Sequence, residues 1–104
     1  MDSKGEKMIK INKTKEFQSW LDSLTIKEQL KIEYRLERIH NLEYFGDAKS
    51  LGSGLAELRW TNGWRVYFTK EKVSIILLLN GGNKNAQKKD IEKARILIQK
   101  YARN

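Results

Sequence analysis

With 104 residues, 39% of them apolar and including three Trp, four Tyr and three Phe, the chain can build one core, and residues 1–104 are expected to form a single domain. The absence of Cys and the single His exclude disulfides, thiolate chemistry and any site built from several histidines, so neither a metal nor a cofactor is expected. Twenty-one Lys and Arg against thirteen Asp and Glu leave a net charge of +8, which favours an anionic partner: nucleic acid, an acidic protein or a membrane surface.

The opening MDSKGEKMIKIN has no apolar stretch of the kind a secretory leader needs, and no apolar run elsewhere is long enough for a bilayer. A cytoplasmic protein without a membrane partner is expected. Residues 1–7 read as a mobile basic tail, and Met8-Ile9-Lys10-Ile11 as a short strand. Phe17, Trp20, Leu21 and Leu24 follow the spacing of a helix with one apolar stripe. Thr25 with Glu28 fits a capping box that opens a second helix through KEQLKIEYRLERIHNL. There Ile32, Leu36 and Ile39 share one side, while Leu30 and Tyr34 lie well round from them. So broad an apolar surface could be core or could seat a partner.

GDAKSLGSG, Gly46 to Gly54, reads as a loop with three glycines. LAELRW, WRVYFT and VSIILLLN read as strands, and the last, with no alternation, should be buried on both faces. GGNKN reads as a second glycine loop. Ile91, Ala94, Ile98 and Tyr101 then mark a closing helix. The order β-α-α-β-β-β-α predicts an α+β domain, its largely antiparallel sheet packed against two N-terminal helices and a C-terminal one.

The hairpin LRWTNGWRVYF allows two registers. A two-residue turn at Asn62-Gly63 would mix charged and apolar side chains on both faces. A three-residue turn with Gly63 left-handed sorts them: Ala56, Leu58, Trp60, Trp64, Val66 and Phe68 on one face, Glu57, Arg59, Arg65 and Tyr67 on the other. The second register is therefore preferred, with Trp60 and Trp64 in the core. It sets Arg59 opposite Arg65, a repulsive pair. Either an anion occupies the site, or Glu57 and other carboxylates neutralise it. Guanidinium groups suit phosphate, with a planar fork of donors and a permanent charge. GGNKN adds glycine backbone, a helix N-terminus and Lys84, although with Asn85 as N-cap it would be an ordinary turn. It lacks the Lys-Ser/Thr step of a nucleotide-hydrolysing phosphate loop.

Taken together, FQSWLDSL, FGDAKSLGSGLAELR, GWRVYF and GGNKNAQKKDI resemble the RelE/ParE superfamily of bacterial toxins, closest to its phage-type addiction module killer branch related to HigB. The resemblance spans nearly the whole chain. It implies the toxin of a type II toxin–antitoxin pair, a cognate antitoxin carrying a helix-turn-helix domain, and, as in many members, cleavage of mRNA in the ribosomal A site. It sets Arg65 at the sheet arginine that contacts the scissile phosphate. Arg59 falls near a catalytic lysine position if one gap is allowed, and Lys84 near a later basic residue. The chain departs from the pattern where RelE-like enzymes carry a tyrosine near the start of the last helix, having Asp90 and Ile91 there. Its single histidine, His40, is expected to be structural.

In this chemistry a 2′-OH attacks its neighbouring phosphate, so charge must be stabilised and protons moved. Arg65 and Arg59 suit the first task. For the second, Glu57, Asp90 and Lys84 remain open. Lys49, Tyr67, Asn83, Asn85 and Lys88 are the expected RNA contacts, with mRNA and the ribosome as partners. The alternatives are a ParE-like inhibitor of DNA gyrase that acts by binding, and a catalytically weak toxin that works mainly through its antitoxin.

Overall fold

The computed structural model describes residues 8–102, so the tail expected at residues 1–7 lies outside the described residues. β1 (Lys10–Lys13) starts two residues later than the sequence suggests and leads into α1 (Lys15–Asp22). Thr14 caps α1: its hydroxyl accepts the Phe17 N–H at 2.9 Å and donates to the Leu79 carbonyl at 2.6 Å, tying the cap to the sheet. α2 (Ile26–Leu42) opens on the predicted capping box, with Thr25 Oγ1 accepting from Glu28 N at 3.1 Å and the Glu28 carboxylate from Thr25 N at 2.9 Å.

Four strands follow: β2 (Ala48–Gly52), β3 (Leu55–Arg59), β4 (Trp64–Lys72) and β5 (Ile75–Asn83). A 3-10 turn (Lys84–Ala86) then runs into α3 (Gln87–Ala102). The sheet order is β1-β5-β4-β3-β2, with β1 parallel to β5 and every other pair antiparallel. This is the predicted α+β domain. Phe17, Leu21, Ile32, Leu36 and Ile39 of the first two helices pack on Leu58, Val66, Ile76 and Leu78. On the other face, Ala94 and Leu97 of α3 meet Leu55, Tyr67, Leu77 and Leu79. The central β5 feeds both cores, as an unbroken apolar run requires.

Two glycine stretches differ from the sequence reading. Gly46 to Gly54 holds an edge strand, β2, that lacks an apolar alternation because it is mostly solvent-exposed. Backbone pairing such as Lys49 with Glu57 holds it, and Gly52, which ends the strand, and Gly54, in the turn into β3, stand at φ 89° and 83°. In GGNKN, Gly81 and Gly82 continue β5 and pair with Val66 and Arg65. These two glycines serve close packing rather than a turn. A Cβ on Gly81 would fall 2.3 Å from the Trp20 ring, and one on Gly82 2.0 Å from Asp90 Oδ2. The β4–β5 ladder also skips Leu79, since Tyr67 faces Asn80 and Phe68 faces Leu78. This bulge turns Leu79 and Asn80 in succession toward α3, where Asn80 Nδ2 donates to the Asp90 carbonyl at 3.1 Å.

Candidate functional site

The hairpin takes the three-residue turn. Gly63 stands at φ 106°, its N–H donates to the Trp60 carbonyl at 3.0 Å, and Trp60 N donates to the Trp64 carbonyl at 3.0 Å. Arg59 is therefore directly opposite Arg65. Leu58, Trp64, Val66 and Phe68 enter the core beneath α1 and α2, with Trp60 half-buried at its margin. Glu57, Arg59, Arg65 and Tyr67 take the α3 face, as the sorting of side chains requires.

The charges on that face are unequal. Arg59 has two carboxylates: Asp47 at 3.5 Å from its Nε and Glu57 at 3.8 Å from an Nη. Of the two alternatives for the pair, neutralisation holds for Arg59, where Asp47, just before the unforeseen β2 edge, joins Glu57. Arg65 has no carboxylate partner among the described residues. One Nη donates to the Trp64 carbonyl at 3.0 Å, and its buried Nε has no acceptor there.

Glu57 is 1% exposed, and Gln87 Nε2 at the start of α3 donates to both its oxygens, at 2.9 and 3.2 Å. So held, it orients Arg59 and is closed to substrate, which corrects the expectation of an accessible base. Tyr67, expected to touch RNA, is wholly buried beneath α3, and its hydroxyl has no partner among the described residues. Burial, then the nearby negative charges of Glu57 and Asp90, push its pKa up and keep it neutral. The buried Asn80 Oδ1 is likewise unpartnered among the described residues. Asp90 lies over Gly82, the cross-strand partner of Arg65, and so shares that face. Burial raises its pKa against the opposing charges of Lys93 and Lys89.

Lys84 is exposed beside the hairpin turn, its N–H donating to the Gly63 carbonyl at 2.8 Å. Arg59, Arg65 and Lys84 thus gather at one end of the sheet. Asn83, rather than Asn85, caps the 3-10 turn, its Oδ1 accepting the Asn85 N–H at 3.0 Å. Asn85 and Lys88 flank an exposed depression at the start of α3, and Lys49, the cross-strand partner of Glu57, is exposed on the β2 edge of the arginine face. His40 is structural: its Nδ1 lies 2.7 Å from the Ile9 carbonyl, and its own carbonyl accepts the Ile9 N–H at 3.2 Å.

Sequence reasoning missed Arg35 and Gln87. From α2, Arg35 donates to the carbonyls of Phe45, Asp47 and Arg59 and lies over the Trp60 ring at 4.4 Å. It clamps the base of the hairpin. Burial lowers its pKa, against the opposing pull of Asp47 and Tyr44. The sequence offers no sign of it, because its acceptors are main-chain groups brought in by the fold. Among the described residues, no His, Cys, Asp and Glu cluster could hold a metal, and no helix is long and apolar enough to cross a membrane.

No protein-family model matches the chain. An uncharacterized protein of Haemophilus influenzae is 39% identical over 94 residues, covering 88% of this chain and 94% of that one, and the chain belongs to the same family as that protein. Among solved structures, a mutant of the Escherichia coli toxin RelE in the free state aligns with a TM-score of 0.67 at 10% identity, over 86% of this chain and 97% of that one. The isolated E. coli RelE toxin aligns at 0.60 and 10% identity, over 85% and 98%. The RelBE2 toxin–antitoxin complex of Mycobacterium tuberculosis aligns at 0.59 and 12% identity, over 73% and 91%. The chain has the RelE fold.

Proposed function

We propose, for a chain with the fold of the RelE toxins, that it is the toxin of a type II toxin–antitoxin pair, in the HigB-like branch, and a ribosome-dependent endoribonuclease that cleaves mRNA. The observation that carries this reading is Arg65: a half-buried sheet arginine opposite a second arginine, with no carboxylate to neutralise it among the described residues. Such a group suits a phosphate oxygen. Arg59, neutralised by Asp47 and Glu57, supplies positioned donors with little net charge. Lys84 adds an exposed cation beside the hairpin turn.

Of the candidate proton carriers, Asp90 is favoured. Its raised pKa brings a carboxyl nearer to the range useful for general catalysis, and it shares a face with Arg65. The substrate 2′-OH would lose its proton to Asp90 as its oxygen bonds to the phosphorus, the phosphorus–5′-oxygen bond would break to leave a 2′,3′-cyclic phosphate, and solvent water would protonate the departing 5′-oxygen, while Arg65 neutralises the developing charge. Lys49, Asn83, Asn85 and Lys88 would follow the RNA backbone. An antitoxin is the expected protein partner, and the cytoplasm the expected compartment.

The test is cleavage of a defined mRNA in a purified translation system, with and without ribosomes. Ribosome-dependent cleavage that is lost with Arg65→Ala, and reduced about 100-fold or more by Asp90→Asn, supports the reading. Absence of cleavage, with cell growth still arrested by the protein, overturns it in favour of inhibition by binding.

A further inference from the structure

The first turn of α3 reaches down to two strands of the arginine face. Gln87 opens the helix, and its own N–H donates to the Lys84 carbonyl, so the turn after β5 fixes its place. One helical turn on, Asp90 lies over Gly82 of β5. Gln87 reaches instead to β3, where its Nε2 donates to both oxygens of Glu57 at 2.9 and 3.2 Å. β4, which carries Arg65, runs between those two strands. A buried carboxylate beside a guanidinium ordinarily closes on it with short hydrogen bonds of about 2.7–2.9 Å. Glu57 is buried, yet Arg59 Nη1 stands 3.8 Å from its Oε2, and Arg59 Nε stands 3.5 Å from Asp47 Oδ2. Both are ion-pair distances, longer than such a hydrogen bond. A neutral amide holds the carboxylate, and the cation stands off.

We propose that Gln87 is a positioning residue: by occupying both oxygens of Glu57 it keeps that carboxylate from capturing Arg59, whose N–H donors stay available to an RNA phosphate. An amide suits this task better than a cation. It donates hydrogen bonds without cancelling the charge of Glu57, so Arg59 is still drawn to this end of the sheet. The Arg59 side chain is 35% exposed and within reach of a ligand, whereas that of Glu57 is 1% exposed. A purely packing role for Gln87 fits less well. Gln87 is only half-buried, and Arg59 would satisfy a buried carboxylate more strongly than an amide does. The effect on cleavage rests on the nuclease reading; the effect on Arg59 itself does not.

The test compares the full chain with Gln87→Met, which keeps side-chain length and helix propensity and removes the donor, and with Gln87→Ala as a second variant. Side-chain nitrogen NMR reads Arg59 directly. Arg35, whose Nε donates to the Phe45 carbonyl at 3.2 Å, gives the signal of a fixed guanidinium and reports that the fold is intact. In the wild type the Arg59 Nε–H signal is expected to be more mobile than that of Arg35. Either substitution should bring it to the order of Arg35, as Glu57 closes on the guanidinium. Adding Glu57→Gln should free it again, because a neutral amide holds a guanidinium less tightly. In the ribosome-dependent cleavage assay, either substitution should lower kcat by about tenfold or more with KM within about twofold, and adding Glu57→Gln should restore at least about threefold of the loss. An Arg59 signal left unchanged or loosened, an unchanged kcat, or a loss of kcat that Glu57→Gln does not reverse overturns the proposal. A wild-type chain that cleaves no mRNA overturns the nuclease reading alone, and the Arg59 signal then decides this one.

Discussion

Gly81→Ala is a demanding test of how the sheet meets α1. The backbone there is ordinary extended strand, so alanine costs nothing in conformation. The cost is steric. The new Cβ would lie 2.3, 2.4 and 2.7 Å from three atoms of the Trp20 indole. Ordinary contact begins near 3.4 Å, so the ring or the strand must retreat by about 1.1 Å. The indole is a rigid plane already packed against Phe17, with ring centroids 5.8 Å apart, and cannot swing a flexible end aside. Overpacking of this kind costs about 1–3 kcal/mol, and the rigidity of the ring places this case at about 2–3. At about 4–8 °C per kcal/mol for a domain of this size, the melting temperature should fall by roughly 8–24 °C.

Chemical denaturation of both proteins, with slopes compared, reads the change directly. Repeating it in a Trp20→Leu background isolates the clash: the coupling should recover at least about 1 kcal/mol, because leucine removes the ring atoms that are struck. A Gly81→Ala protein within about 0.5 kcal/mol of wild type would refute the packing argument, and with it the claim that this glycine serves contact rather than a loop.

Two other predictions follow from buried or paired polar groups. The Glu16 carboxylate accepts from the Tyr101 hydroxyl at 2.8 Å and from Lys100 at 3.0 Å, and these contacts, the tyrosine first, lower its pKa to about 2. A lowered carboxyl pKa stabilises the fold at pH values above the unfolded value of 4.5, and that contribution is lost as pH falls toward 2. Tyr101→Phe should therefore be less stable than wild type at pH 6, with the gap closing between pH 4.5 and 2 in urea titrations; a gap that widens on acidification would contradict the assignment. Arg35→Ala should lower stability by about 2 kcal/mol, since the Phe45, Asp47 and Arg59 carbonyls lose a charged donor. Arg35→Lys should recover less than half, because one ammonium cannot span three acceptors, and full recovery in denaturation curves would count against the clamp.

Much of the fold can be read from short-range chemistry. The capping box at Thr25 and the register of the hairpin are local matters: a side chain three residues from its partner, and a turn whose length decides whether charged groups face the core. The unbroken apolar run at the end of the strands needs two covered faces wherever it lies. Local patterns also marked Leu30 and Tyr34 as surplus to one helical stripe. Other features depend on residues far apart in the chain, and no window of sequence contains them. Gly81 and Gly82 look like a turn until Trp20 and Asp90 arrive from two different helices to fill the space a Cβ would take. The edge strand at Ala48–Gly52 is exposed and carries no apolar period, so only its pairing with Leu55–Arg59 reveals it. Composition determined a basic domain, and the local register of the hairpin a pair of facing arginines. Asp47 on the approach to that edge strand and Gln87 at the start of the last helix, through contacts made only on folding, neutralised Arg59, sealed Glu57 and left Arg65 with an unsatisfied buried donor.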